Sequence, residues 1–394
     1  MQRPSPDWRA GASHPYLGSA SSTAMTSSPP HTLIIGAGIT GLVLAQALRK
    51  RHAADSPTAP LPFSIYERDP NPTHRGAGWG LTIHWALPDF ESLLPADLLA
   101  RLPETFVDAA AVTEGLTGNF LLFDLQDGAE RYRVPPNTRI RVSRERLRRL
   151  LMDGLDIQWS KTIAEIDTTT PGAVTASFTD GTTATGTQLI GADGSRSRVR
   201  TFLAPSPANN VLPVRLLGAS VPYSFTRCIP IRDLDPFFFQ ASDPATDAFF
   251  WFSFLSVPAD TAEDRVCQIL VSWPFRKGFL GREEPVDTPA AGERVAWMKE
   301  VTKGWVEPFR GIVADIPEGT EVKSLALEDW LPAEKGFDSR DGRVTLIGDA
   351  AHAMTMFRGE AANHGIADVA SLVRELFAET DANAPGPIDR AFSN

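Results

Sequence analysis

Cysteine is nearly absent. Cys228 and Cys267 are the two in 394 residues, and neither stands in a metal-ligand spacing. No disulfide framework and no metal site are expected, and a reduced, cytoplasmic setting fits best. A surplus of positive charge is missing too. Lys and Arg number 38 against 48 Asp and Glu, a net charge of −10. Nucleic acid is therefore not an expected partner, because phosphate binding needs a basic face. There is no long unbroken apolar run; the one candidate, around residues 32–48, is interrupted by Gly36, Gly38 and Gly41. No integral membrane segment is expected. Residues 1–30 lack both apolar periodicity and the apolar core of a secretory signal. They are rich in Ser, Pro, Ala and Gly and read as a disordered extension, with a faint transit-peptide hint in Arg3 and Arg9. Met25 is a candidate start, since the periodic sequence begins just after it. What is present is 42% hydrophobic and 22% charged, a globular chain able to bury a large core in one or two domains.

The stretch HTLIIGAGITGLVLAQALRKR, residues 31–51, organises the rest. Thr32 to Ile35 reads as a short buried strand. GAGITG then matches G-x-G-x-x-G, and Leu42, Ala45 and Leu48 follow at helical spacing. Gly36 serves the sharp turn, Gly38 the approach of a pyrophosphate, and Gly41 the packing of helix on strand. The helix N-terminus directs unpaired N–H groups at the phosphates. A second strand, 63–66, ends in Glu67, whose carboxylate can accept the hydroxyls of an adenosine ribose. The gap from Gly41 to Glu67 is longer than usual, and residues 53–62 account for the excess as a surface loop. Dinucleotide binding is the expectation; an ordinary strand–turn–helix is the bland alternative.

Arg75, Gly76, Gly78 and Gly80 form a second glycine-rich loop. Arg75 is placed to meet the same phosphates or ribose, or is a solvated turn arginine. His84 reads as a core histidine bonded to backbone, with a cavity wall as the alternative. Residues 88–102 read as a helix, 112–125 and 131–134 as strands, and 140–155 as a strand tip entering a helix capped by Ser143. Arg144 sits at that helix's first turn near the inner edge, whereas Arg141, Arg146, Arg148 and Arg149 read as a solvated face. Thr179 to Thr182 is a hairpin turn. Residues 189–200, LIGADGSRSRVR, are a buried strand whose turn carries Asp193 and Gly194. Residues 212–273, rich in Phe and Trp, suggest an antiparallel sheet over a cavity, with most rings in the core and a minority lining an apolar pocket. Residues 290–316 read as helices. Residues 343–347 are a third apolar strand, followed by Gly348 and Asp349 in a turn and a helix over 363–377.

GAGITG with Glu67, GADGSRSRVR and LIGDAAHAM, in this order, resemble the FAD-dependent aromatic hydroxylase family, the single-component flavoprotein monooxygenases that include para-hydroxybenzoate and salicylate hydroxylases. The resemblance spans residues 31–377. It implies an α/β fold: a Rossmann-like, glutathione-reductase-like FAD-binding domain (31–205 and 338–380, with sheet excursions) and an inserted antiparallel-sheet substrate domain (206–337), before a loose tail over 381–394. It implies FAD on Gly36, Gly38, Gly41, Glu67, Arg75, Gly80, Arg144, Asp193, Gly194, Gly348, Asp349 and Ala362. NAD(P)H is the implied co-substrate, and Asp193 and Gly194 would serve both cofactors. The implied reaction delivers one atom of molecular oxygen to a small aromatic or apolar metabolite, by hydroxylation or epoxidation, in secondary metabolism. No nucleophile or metal is required, so Ser195, His352 and His364 are not read as a triad. No catalytic residue is assigned; His84, Met356 and Arg358 are the flavin-proximal candidates. Two positions depart from the family pattern: Met356 where proline is usual, and Ala361-Ala362 where glycine is common. Family members also continue further past this helix. These departures motivate an alternative, a flavoprotein that binds without turnover; a reductase or oxidase on the same fold is another. A halogenase is not expected, since no W-x-W-x-I-P segment occurs. Substrate, coenzyme preference and oligomeric state are left open by the sequence.

Overall fold

The computed structural model describes residues 31–55, 61–74, 78–205, 208–332 and 336–377. The extension over 1–30, the tail over 381–394 and Arg75 lie outside the described residues.

Strand β1 (Thr32–Ile35) enters helix α1 (Ile39–Asp55), and β2 (Phe63–Tyr66) lies parallel beside β1. A ribbon of β3 (Gly80–Ile83) and β4 (Ile140–Ser143) runs antiparallel, with Thr82 opposite Arg141, and β4 passes directly into α2 (Arg144–Met152). Ser143 caps α2 by accepting the Arg146 amide, as read from the sequence. Strand β5 (Gln188–Gly191) pairs with the other side of β1. The aromatic strands β6 (Phe238–Asp243), β7 (Ala248–Ser256) and β8 (Arg265–Pro274) follow, then β9 (Val344–Leu346), the short α3 (Asp349–His352) and α4 (Ala361–Leu376).

A five-stranded parallel sheet has the order β9–β5–β1–β2–Ile157–Gln158. Strands covered on both faces read as unbroken apolar runs, and every residue of β1 is buried. Because all these strands point one way, the turns after β1, β2, β5 and β9 leave the same edge of the sheet. That edge is where open parallel sheets bind ligands.

A seven-stranded sheet has the order Val322–Leu325, Val214–Tyr223, β8, β7, β6, Phe120–Asp124, Glu130–Val134. Its last two strands come from the part of the chain before residue 206, as excursions of that segment. Alternation divides its rings between two faces. Phe239, Phe250, Phe252 and Phe254 pack with Trp297, Trp305 and Phe309 of the 290–316 helices in a fully buried core. Phe238 and Trp251 face the other way, stacked at 5.2 Å.

Several expectations change. The helix over 88–102 is two short helices, Leu87–Leu93 and Ala96–Arg101, broken at Pro95, which cannot donate to the ladder. Val112 lies in a short helix, Ala109–Thr113, capped by Asp108, and the strand begins only at Phe120. The helix Phe225–Arg232 interrupts the aromatic region. The 179–182 hairpin is as read.

Candidate active site

Two cavities meet at the ligand edge of the parallel sheet. The first, about 220 Å³, is lined by Gly36, Gly38, Glu67, Asp193, Gly194 and Asp349. The second, about 780 Å³, lies between the β3–β4 ribbon, the exposed face of the aromatic sheet and the loop before α4. Leu81, Arg144, Ala361 and Ala362 line both.

The three glycines of the first turn do different work. Gly36 has φ +110°, and an added Cβ would sit 2.4 Å from the Ala192 carbonyl oxygen. Gly41 packs against the Gly36 carbonyl in the same way. Both are required by the fold itself, because the β1 and β5 turns touch there. A Cβ on Gly38 would meet nothing within 4 Å. Its bareness serves nothing inside the protein; it leaves open space facing the cavity.

Glu67 stands at the tip of β2, 3% exposed. It accepts the Ala37 amide at 2.7 Å and the Asp69 amide at 3.0 Å. Asp193 is engaged by its own turn, accepting from the Ser197 hydroxyl at 2.5 Å and the Arg198 amide at 2.7 Å. Burial raises its pKa against those bonds. It reaches the cavity as the scaffold of the turn, and Gly194 follows with φ +84°. Gly348 donates to Asp368 at 2.7 Å and sets Asp349 at the start of α3. Burial raises the Asp349 pKa, opposed by His352, Arg144 and Arg200. Gly80 begins β3 on the wall of the second cavity.

His84 is a cavity wall and not a core histidine. Its amide donates to Asn363 at 2.9 Å, its ring lines the second cavity, and burial lowers its pKa. Met356 lines that cavity, and Arg358 stands largely exposed at its rim, 3.7 Å from Glu360. Ala361 and Ala362 begin α4 and line both cavities, so the N-terminus of that helix lies at their junction. His352 and His364 do not form a triad with Ser195. Instead His352 Nε2 is 2.6 Å from Asp368 Oδ2, the oxygen that also accepts the Gly348 amide.

Two arginines correct the solvated-face reading. Arg148 is 5% exposed; it donates to the Ala37 carbonyl at 2.9 Å and the Pro72 carbonyl at 2.8 Å, and stacks on Trp159. It ties α2 to the first glycine turn. Arg141 is equally buried and lines the second cavity. Arg146 is also partly drawn in, bonding the Leu255 carbonyl, whereas Arg149 pairs with Glu145 on the surface. Asn363 was unassigned in the sequence. It is fully buried and clamps the β3 end through the His84 amide and the Thr82 carbonyl.

The His352–Asp368 pair gives a pH expectation. Burial lowers the His352 pKa, but the Asp368 carboxylate outweighs this and the net shift is upward. A raised folded-state pKa contributes stability fully below the unfolded value of about 6.5, lost as pH rises through the folded value. Thermal midpoints of the parent and His352→Gln, compared from acid to alkaline pH, should differ most at low pH and converge as pH rises. A gap that widens with pH would contradict the ion pair.

Residues 331–388, which carry the Asp349 turn and α4, match the FAD binding domain family. A protein of Arthroderma benhamiae named "Probable FAD-dependent monooxygenase" is 53% identical over 365 residues, covering 89% of this chain and 82% of its own. The FAD-dependent monooxygenase tazP of Aspergillus terreus is 40% identical, covering 88% of this chain and 89% of its own. Among solved structures, Klebsiella pneumoniae HpxO complexed with FAD and uric acid shares the fold, with a TM-score of 0.68 at 20% identity over 92% of this chain and 83% of that one. Among the described residues, no helix is long and apolar enough to cross a membrane. By its relatives and its fold, the chain belongs to the FAD-dependent monooxygenases of the aromatic hydroxylase family.

Proposed function

We propose that the first cavity holds FAD along its length and that the second is the substrate chamber, with the flavin ring at the wall they share. The parallel-sheet part, 31–205 and 338–380, is then a Rossmann-like, glutathione-reductase-like cofactor domain. Residues 206–337, with the 120–134 strands, form the substrate domain. The observation that carries this reading is the open space at Gly38, in a cavity that adjoins a larger, ring-lined one.

When bound, FAD would supply the redox chemistry linking NAD(P)H oxidation to the insertion of one atom of molecular oxygen into the substrate, the other atom leaving as water. The protein's tasks are positional. Gly36, Gly38 and Gly41 admit the pyrophosphate at the α1 N-terminus. Glu67 accepts ribose hydroxyls, Arg75 and Arg144 offset phosphate charge, and Gly194 and Asp349 border the ribityl side. The α4 N-terminus places N–H groups and partial positive charge beside the flavin ring. Phe238 and Trp251 keep water from the reacting oxygen. His84 and Met356 on the wall of the second cavity, with Arg358 at its rim, are the flavin-proximal candidates. The substrate is a small aromatic or apolar metabolite of secondary metabolism, hydroxylated or epoxidised in the reduced cytosol.

Turnover is favoured over mere binding. Ala361 and Ala362 sit at the start of a helix where alanine is ordinary, and their methyls leave the cavities adjoining. The test is oxidation of NADH or NADPH by the yellow holoenzyme, with a mass screen of products under labelled oxygen gas. Label in a product supports the reading. Coenzyme oxidation without label supports the reductase or oxidase alternative. Flavin that neither coenzyme bleaches supports binding without turnover.

A further inference from the structure

One residue on the wall of the second cavity is itself open to oxidation. Met356 is half-buried and packs against a cluster that includes Phe238, Trp251 and Leu270. Its thioether is the one sulfur group among the described residues that line either of the two cavities. The backbone around it is pinned. Met356 opens a single helical turn, Met356–Arg358, which Gly359 closes with φ +67° and an amide donated to the Met356 carbonyl at 2.9 Å. The neighbouring ring, Phe357, docks edge-on against Phe249 at 5.0 Å. Met356 is therefore held at the chamber wall, on the segment that leads into α4 at the junction of the cavities.

The chemistry of the chamber bears on that group. A transferred oxygen atom seeks an electron pair, and a thioether offers one with no aromaticity to lose and no proton to remove. Phe120, Phe238 and Phe357 are unactivated rings, and the indoles of Trp79 and Trp251 are the other electron-rich groups on the wall. The remaining described methionines are placed differently. Met298 is fully buried in the helix-covered core. Met152 lines a separate cavity bordered by α2, and Met354 lines neither of the two cavities. Met152 and Met354 are half-buried, as Met356 is, so exposure alone does not separate the three.

We propose that Met356 is an internal oxygen acceptor: during turnover with the chamber empty of substrate, its thioether sulfur takes the oxygen atom that the substrate would receive. A sulfur–oxygen bond forms, the bond of molecular oxygen breaks, and the second atom leaves as water. NAD(P)H and the sulfur each supply an electron pair, and the coenzyme's hydrogen and a solvent proton end in the water. The product is methionine sulfoxide, a polar group on a wall packed against rings. Met356 is thus a modification site that marks turnover without substrate. The assignment rests on reading the second cavity as the chamber where oxygen is transferred.

The test incubates the FAD-loaded enzyme with NADH or NADPH under labelled oxygen gas, with no added substrate and with catalase present to remove released peroxide. The reaction runs until the coenzyme consumed exceeds the enzyme several-fold. Label is then located by peptide mass, with fragment ions that separate Met354 from Met356. Met356 should carry labelled sulfoxide at about tenfold or more the level of Met152 and Met354, the advantage of a group held beside the reacting atom. Without coenzyme the label should be absent. Label spread evenly over the three methionines overturns the proposal, because it reports a freely diffusing oxidant. Coenzyme oxidation that leaves Met356 unlabelled also overturns it, as does label confined to Trp79 or Trp251. A flavin that neither coenzyme bleaches overturns the turnover reading itself, and this assignment with it. That failure shows in the colour of the protein, before any peptide is measured, so the two are distinct.

Discussion

Gly36→Ala is expected to lose FAD binding by about a hundredfold or more, the equivalent of roughly 3 kcal/mol. Two costs coincide at this position. The backbone is at φ +110°, outside the range an L side chain adopts comfortably, and such strain costs about 1–3 kcal/mol. The new methyl would also lie 2.4 Å from the Ala192 carbonyl oxygen and 3.0 Å from the Asp193 Cα. Those are backbone atoms and cannot swing aside as a flexible side chain would. Relief requires the β1 turn and the Asp193–Gly194 turn to separate, and they are two of the walls of the first cavity. Titration of apoprotein with FAD, followed by flavin fluorescence, reads the effect. A Gly36→Ala protein that is purified yellow would contradict the packing argument.

Phe239→Ala should have the opposite profile, large in stability and small in ligand binding. Phe239 is fully buried and meets Phe123, Phe250, Phe252 and Phe309 at centroid distances of 5.8, 6.1, 5.2 and 5.8 Å. Removing a ring from such a site costs about 3–5 kcal/mol, because both its transfer energy and a residual cavity count. Its side chain belongs to the helix-covered face, so the chamber on the other face keeps its lining. Urea unfolding should shift by that amount while FAD affinity of the folded protein changes little. A loss below about 1 kcal/mol would mean the two-faced reading of the aromatic sheet is wrong.

The parts legible in the sequence are those with short-range signatures. A buried parallel strand is a run such as TLII or QLIG, and a phosphate turn is a set of glycines at fixed spacing. The turns that leave the ligand edge were therefore located from the chain alone. The helix break at Pro95 was legible too, but helical leucine spacing on both sides masked it. Arg141 reads in sequence with the helix arginines that follow it, although it belongs to the strand before them. In the strand Ile140–Ser143, alternation sets it opposite Val142, and its partners Ser253, Phe238 and Trp251 lie about a hundred residues downstream. Arg148 is hidden for a related reason: it finds buried backbone carbonyls at Ala37 and Pro72 that no helical periodicity reveals. The parallel pairing of Phe120–Asp124 with β6 is likewise a long-range register with no local mark. Nor does a sequence motif separate Gly36, which the fold requires, from Gly38, which it does not.

That last distinction supplies the most direct test. Gly38→Leu places a large side chain in space that the protein leaves open, at a backbone conformation leucine tolerates. If the groove is the track of the FAD pyrophosphate, the variant should unfold within about 0.5 kcal/mol of the parent and yet fail to bind added FAD. A folded Gly38→Leu protein that binds FAD as tightly as the parent would show that the cofactor does not lie there.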